Sequence, residues 1–350
     1  MLTEKDFTGI QISRPPHFGF ELEATAPSNI ALVKYWGKHD NQLPMNPSIS
    51  FTLNRSQTIT KASLKPLRKI SDTVVFRLFF EGKPKPEFEP KIAVFFQKIA
   101  RYVPFIRFFE WEIDSYNTFP HSSGIASSAS AFAALAKMTV DLERKLFHGI
   151  DAELLNKKAS FLARLGSGSA ARSIEHPIML WGQHSDIPHS SDLYAVKPDF
   201  DLHSVFNNYQ DSIILVEKGQ KAVSSTAGHE LMNRHPFKEI RKQHAFDNVL
   251  QMYNILQTGD LESFIRITEA EALELHALMM TSRPNYLLMQ PETLEVIHQI
   301  RAIRDEKNIP VCFTLDAGAN VHVLYPEVYR SSVQNLLLDN IDHDIIDDFV

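Results

Sequence analysis

From Asn117 to Ala136 the chain reads NTFPHSSGIASSASAFAALA, a run of small residues set directly before Ala129 to Phe147, where apolar side chains recur at helical spacing. A small-residue turn on a helix N-terminus gathers backbone N–H groups and the positive end of the helix dipole, so its natural guest is an anion. The length of the loop favours a phosphate chain over a carboxylate. Ser127 and Ser128 add hydroxyls for phosphate or a bound cation, with an ordinary helix cap as the purely structural alternative. Three more places carry chemistry. At Lys34-Tyr35-Trp36-Gly37-Lys38 two ammonium groups and a phenol can converge on one anionic group, unless this is a solvated loop. In GSGSAARS, residues 166 to 173, Arg172 stands among serines and offers a planar fork for a carboxylate or phosphate, against an ordinary surface ion pair. Asp316 ends the apolar run Val311 to Leu315, where a rigid scaffold can present a carboxylate; a plain hairpin turn at Asp316-Ala317-Gly318-Ala319-Asn320 is the alternative.

Other chemistries are excluded by what the sequence lacks. Gly166, Gly168 and Ala171 follow a helix where a dinucleotide fingerprint needs a strand, and no GxxxxGK[ST] element is present. His229, His235, His244 and His276 show no HExxH or other ligand spacing and read as core or surface histidines. Cys312 is the only cysteine, which rules out an intrachain disulfide and a thiolate zinc cluster and fits a reducing cytoplasm.

The elements that must position these groups follow from periodicity. An apolar run after Ala24, then SISFTLN, Thr73 to Phe80 and Phe108 to Asp114 read as strands, the last with Phe109, Trp111 and Ile113 on one face. GKPKPEFEP reads as a surface loop, and Asp151 to Leu165 as a helix. From His176 to Asn208 periodicity is lost, which places a lobe boundary at its end: 1–208 and 209–350. Beyond it lie a buried strand at Ser212 to Val216, a Ser/Thr/Gly turn in KAVSSTAGHELMNRHPF, and helices over 237–257, 260–280 and 291–306. Val321 to Tyr325 is a further strand, and LLLDNIDHDIIDDFV reads as an acidic tail without chemistry. A strand-rich first half and a helix-rich second half indicate an α+β fold.

At 350 residues and 44% hydrophobic the chain can bury a large core. Its 42 acidic and 36 basic residues, a formal charge of −6, argue against nucleic acid or an anionic membrane as the main partner. The start MLTEKDFTGI lacks the pattern of a signal peptide, and no segment has the apolar length for spanning; neither export nor a membrane is expected.

Five stretches together resemble a known family: APSNIALVKYWGKHDNQLPMNPSIS, NTFPHSSGIASSASAFAAL, ARLGSGSAARS, VSSTAGHEL, and LHALMMTSRPNYLLMQPET running on to FTLDAGANVHVLYP. They stand in the order found in the GHMP kinase superfamily, and KYWGK, GSGSAxRS and the DAG turn resemble its mevalonate diphosphate decarboxylase branch. The resemblance implies a GHMP kinase fold with two lobes, a ribosomal protein S5-like N-terminal lobe and a helix-rich C-terminal one. It implies ATP-dependent decarboxylation of mevalonate 5-diphosphate to isopentenyl diphosphate, with Mg²⁺ and as a cytoplasmic homodimer. Relatives acting on mevalonate 5-phosphate or mevalonate, and a non-catalytic binding protein of the same fold, are the competing readings. Carried over by position, Asn117, Pro120, Ser122, Ser123, Gly124, Ile125, Ala126, Ser127 and Ser128 form the ATP-phosphate loop, with Ser128 near Mg²⁺. Tyr35, Lys38, Ser167, Gly168 and Ser169 hold the substrate diphosphate, and Arg172 its carboxylate. Lys34 neighbours Asp316, the catalytic aspartate. The chain departs from the pattern at Ala171 (often Cys), at Glu175-His176-Pro177 (Gly-Gly) and at His229 (Met). Those departures touch the substrate-side wall and leave every charged group in place.

Overall fold

The computed structural model describes residues 2–12, 14–120, 125–175, 177–217, 219 and 225–350. His121, Ser122, Ser123, Gly124, His176 and the turn residues Lys221, Ala222, Val223 and Ser224 of the sequence reading lie outside them. The first sheet is built from β1 (Phe20–Val33), β2 (Ser48–Pro66), β3 (Val75–Phe80), β4 (Lys83–Pro84), β5 (Phe109–Asn117) and β6 (Ile178–Trp181), in the order β1-β2-β5-β3-β4 with β6 also on β2. β1 and β2 run antiparallel from Phe20 opposite Leu64 to Val33 opposite Ile49. Their register breaks at Pro27/Asn29, which is where a residue without an N–H is tolerated in a strand. Before the break β1 alternates between buried and solvated side chains; after it every residue is buried, so the far end of the strand is covered on both faces.

Helices α1 (Glu89–Ile99), α2 (Ser127–Leu146) and α3 (Ala152–Gly166) cover one side of this sheet. Ala129, Ala133 and Ala136 let α2 approach closely, and Asp151 caps α3 by accepting the Leu154 N–H at 2.8 Å. On β5, Phe109, Trp111 and Ile113 are fully buried, as their alternation predicts.

The second sheet, ordered β10-β7-β9-β8, holds β7 (Gln210–Leu215), β8 (Cys312–Thr314), β9 (Val321–Tyr325) and β10 (Asp344–Phe349), all antiparallel. Around it lie α4 (Ser225–Leu231), α5 (Lys238–Thr258), α6 (Leu261–Thr281), α7 (Pro291–Lys307) and α8 (Arg330–Asn340). The three long helices fall within a residue or two of their sequence limits. One apolar cluster runs through both sheets: Ile30, Leu32 and Phe51 pack with Tyr209, Met252 and Phe264, the Phe51 and Phe264 rings stacking at 6.0 Å. Among the described residues, no helix is long and apolar enough to cross a membrane.

Three sequence readings are corrected. GKPKPEFEP contains β4, a short 3-10 turn and the start of α1, because its prolines sit where a helix start and a strand edge accept them. The stretch from His176 to Asn208 contains β6, four buried residues too short to show a period. The acidic tail is α8 and β10, and Asp348 in it is buried. Its carboxylate accepts the backbone N–H groups of Arg55 (2.8 Å) and Ser56 (2.6 Å) on β2, so this acid clasps the two sheets together. Removing it orphans two backbone donors. Asp348→Ala should therefore cost about 2 kcal/mol or more in chemical denaturation, whereas Asp342→Ala, at an exposed position, should change stability by no more than about 0.5 kcal/mol.

Candidate active site

Lys34 follows directly on β1, at the end that is covered on both faces, and is 1% exposed. Its ammonium donates to Asp316 Oδ1 at 3.1 Å. Asp316 comes from the turn between β8 and β9, so the pair joins the two sheets; its carboxylate is about one-third exposed, with a side-chain accessibility of 32%. Burial drives the Lys34 pKa down, Asp316 and Glu271 oppose that, and Arg172 adds to it.

Arg172 closes a short 3-10 turn after α3 and is 2% exposed. The sequence places it beside the loop serines. The structure instead hands its guanidinium to neutral oxygens of the sheet: Nε to Ser50 Oγ at 3.1 Å, Nη1 to Ser48 Oγ, and Nη2 to Asn29 Oδ1 at 3.4 Å. Among the described residues no carboxylate pairs with it. Burial lowers its pKa to about 10, with Asp316 and Tyr35 opposing, so it remains cationic at neutral pH and available to an anion.

Tyr35 and Trp36, read as exposed loop residues on the structural alternative, are buried. The Tyr35 ring meets Trp181 edge-on at 4.7 Å and lies 4.4 Å from His229. Among the described residues its buried hydroxyl has no hydrogen-bond partner, and burial raises its pKa, so it stays a proton donor. That hydroxyl lies against Gly168, where a Cβ would approach it to 2.6 Å. Ser167 and Ser169 flank the glycine with their hydroxyls 3.3 Å apart, and Asn29 Nδ2 donates to the Ser169 carbonyl at 3.3 Å. Lys38 is half-buried, its pKa lowered by burial and supported by Glu230. Gly37 between them has φ +92, a value that favours glycine, and its N–H donates to His229 Nδ1 at 2.9 Å. Lys34, Tyr35, Arg172, Gly168 and Asp316 are thus brought into one region, with Lys38 at its edge.

The phosphate-loop residues stand differently. Ser127 and Ser128 open α2, Ser128 exposed and Ile125 buried, while Ala126 at the cap position supplies no side chain to the first-turn N–H groups. Pro120 is exposed, and Asn117 Oδ1 accepts the Thr58 hydroxyl at 2.8 Å. Among the described residues, no hydrogen bond links Ser127 or Ser128 to Lys34, Asp316 or Arg172. Residues absent from the sequence reading complete the region: Ser48 and Ser50, whose spacing of two on a strand puts them on one face, and Asn29, Trp181, Arg241 and Glu271. His276, read as an ordinary core or surface residue, is buried with Nε2 3.2 Å from the Asp316 carbonyl. Among the described residues no group of three or more His, Cys, Asp or Glu is arranged to hold a metal ion.

Two lobes of α+β structure, with a buried ammonium of one beside a carboxylate of the other that is about one-third exposed, form the GHMP kinase fold. Residues 26–195 match the diphosphomevalonate decarboxylase-like N-terminal domain and 212–348 the mevalonate 5-diphosphate decarboxylase C-terminal domain; the chain belongs to the diphosphomevalonate decarboxylase family. A crystal structure of mevalonate diphosphate decarboxylase from Staphylococcus aureus superposes with a TM-score of 0.81 at 29% identity, covering 95% of this chain and 96% of that one. Another, described as MDDEF in complex with MVAPP, AMPPCP and magnesium, gives 0.80 at 27%, covering 95% and 97%. The phosphomevalonate decarboxylase of Haloferax volcanii is 28% identical over 328 residues, 91% of this chain and 93% of its own length.

Two measurements test this geometry. Gly168→Ala should displace the Tyr35 hydroxyl and raise KM for the acid substrate by about tenfold or more while leaving KM for nucleotide within about twofold. His229 is the second. Burial, then Lys38 and Arg172, hold its pKa down at about 3 against 6.5 unfolded, so the unfolded chain takes up a proton first as pH falls. Wild-type stability should decline through this group below pH ~6.5, by up to about 1.4 kcal/mol per unit. In His229→Met that part of the acid loss should vanish; equal slopes for the two proteins would contradict a neutral buried imidazole.

Proposed function

We propose that this chain catalyses the ATP-dependent decarboxylation of mevalonate 5-diphosphate to isopentenyl diphosphate, with release of ADP, phosphate and CO₂. The observation that carries the reading is the 3.1 Å contact between Lys34 and Asp316, beside a guanidinium that pairs with no carboxylate among the described residues. Asp316 orients the tertiary 3-hydroxyl and accepts its proton as the oxygen attacks the γ-phosphorus of ATP. Lys34 offsets negative charge on the transferring group, and the N-terminal end of α2, whose cap residue Ala126 supplies no side-chain acceptor, faces the phosphate chain. The new O–P bond forms as the γ-phosphorus parts from ADP, and the C3–O bond, whose oxygen now carries the phosphate, then breaks with the phosphate keeping the electron pair. The C–C bond to the carboxylate supplies its pair to form the alkene, and CO₂ leaves. Arg172 holds the carboxylate in line for that cleavage, and Tyr35, Lys38, Ser167 and Ser169 take the 5-phosphate groups.

The exposed Ser128 hydroxyl at the start of α2, where Ala126 supplies no side-chain cap, suits a hard cation, so Ser128 would be the residue to hold Mg²⁺. When bound, the ion neutralises charge on the phosphates. A lobe division at Asn208 and a cytoplasmic setting accompany this reading on the sequence pattern, and a homodimer on family resemblance alone. The Haloferax relative supports a second reading, a preference for the 5-monophosphate. Rates of ADP and CO₂ formation with mevalonate 5-diphosphate, its monophosphate and mevalonate decide between them: the diphosphate should give the highest kcat/KM, and a monophosphate preference would overturn the first reading.

Asp316→Asn preserves size while removing the basic carboxylate; kcat should fall about 10²-fold or more with nucleotide-analogue affinity and stability little changed. Arg172→Lys should lose at least about tenfold in kcat/KM, roughly 1.4 kcal/mol, because a point charge cannot replace the fork. Near wild-type turnover by the folded Asp316→Asn variant would remove the proposed base.

A further inference from the structure

The main chain of Lys34 is gripped by an ion pair that belongs to no step of the reaction. Arg241 on α5 and Glu271 on α6 have side chains 1% and 0% exposed. Glu271 Oε2 accepts the Lys34 N–H at 2.9 Å and Arg241 Nη2 at 2.7 Å; Oε1 accepts Arg241 Nη1 at 2.8 Å and Asn248 Nδ2 at 2.7 Å. Arg241 Nη2 also donates to the Lys34 carbonyl at 2.7 Å, which takes a second bond from Asn46 Nδ2 at 2.9 Å. The peptide groups on both sides of the Lys34 Cα are therefore anchored, and the anchors sit on helices around the second sheet, which also carries Asp316.

We infer that Arg241 and Glu271 are positioning residues that fix the Lys34 backbone so that its ammonium meets Asp316 and the transferring phosphate. The inference rests on the roles given above to Lys34 and Asp316. A buried ion pair is a poor way to gain stability, since apolar replacements of similar volume are often neutral or better. Here the pair supplies what apolar side chains cannot: an acceptor and a donor placed on one residue's N–H and C=O. It also acts on charge. The charged groups facing Lys34 are Asp316, Glu271 and Arg172, with Asp211 on β7 further off and Arg241 neutralising part of Glu271. Removing the Glu271 charge while Arg172 stays makes the ammonium easier to deprotonate.

The test uses two variants of the full chain, assayed for ATP turnover with mevalonate 5-diphosphate beside Asp316→Asn. The double variant Arg241→Met/Glu271→Met removes both buried charges of the pair together, leaving the more exposed Glu274 with His244 and the Lys34 N–H without its acceptor; it should fold with somewhat lowered thermal stability and lose about tenfold or more in kcat with KM for ATP within about twofold. In Glu271→Gln the alkaline limb of the kcat profile should move to lower pH, an effect that a purely structural role would not produce. A folded double variant with wild-type kcat, or an unmoved limb in Glu271→Gln, overturns the inference; should the double variant not fold, the limb alone decides. If Asp316→Asn is inactive while these variants behave as wild type, only the positioning role is lost. If Asp316→Asn keeps wild-type turnover, it is the site reading that fails.

Discussion

The contact between Lys34 and Asp316 is the constraint around which this fold is arranged. An ammonium that is 1% exposed has given up its hydration, a cost that only close negative charge and complete hydrogen bonding can offset. Asp316 provides the charge, but it arrives on a turn of the other sheet. The two sheets must therefore be held in fixed relation to within a fraction of an ångström. The continuous apolar cluster from Ile30 to Phe264 does this in bulk, and Asp348 reaching the N–H groups of Arg55 and Ser56 does it at one edge. The break in register at Pro27 is part of the same arrangement, because it turns β1 from a half-solvated strand into a fully enclosed one just before the lysine.

The chain carries more acid than base, so the attraction for anions is local. Lys34 lies within reach of the field of Arg172, and Lys38 and Arg172 both reach His229: Arg172 pushes the pKa of Lys34 down, and Lys38 and Arg172 push that of His229 down. Such a cluster is unfavourable until an anion enters it. The Tyr35, Ser167 and Ser169 hydroxyls beside these cations are neutral donors that add nothing to the repulsion. Holding Arg172 by Ser48, Ser50 and Asn29 follows the same logic, since oxygen acceptors orient the guanidinium while leaving its charge unspent.

What could be read from the sequence was whatever has a short period or a compact motif. Alternation in Phe109, Trp111 and Ile113 fixed the buried face of β5, and the long helices of the second half showed in their apolar spacing. The charged residues of KYWGK and the aspartate of the DAG turn stood out by type, and the structure brings Lys34 and Asp316 together across 282 positions. Strand β6 escaped because four buried residues have no period, and β10 because acids in a strand look like a solvated tail until a partner strand and two N–H donors are seen. Arg241 and Glu271 were illegible for another reason: each is an ordinary charged residue in a helical pattern, and only the crossing of α5 and α6 beside Lys34 makes them a pair.

The shared apolar cluster also has a consequence for how the protein is made. Phe51 on β2 stacks on Phe264 of α6, a residue that leaves the ribosome more than two hundred positions later. At about 5–20 residues per second, the face of the first sheet that carries Ile30, Leu32 and Phe51 waits on the order of ten to forty seconds for its cover. During that interval the nascent first half presents a patch of bare aliphatic and aromatic side chains to the cell. Only when α6 emerges and packs does that face become interior, so the order of synthesis itself sets how long it stays open to wrong partners.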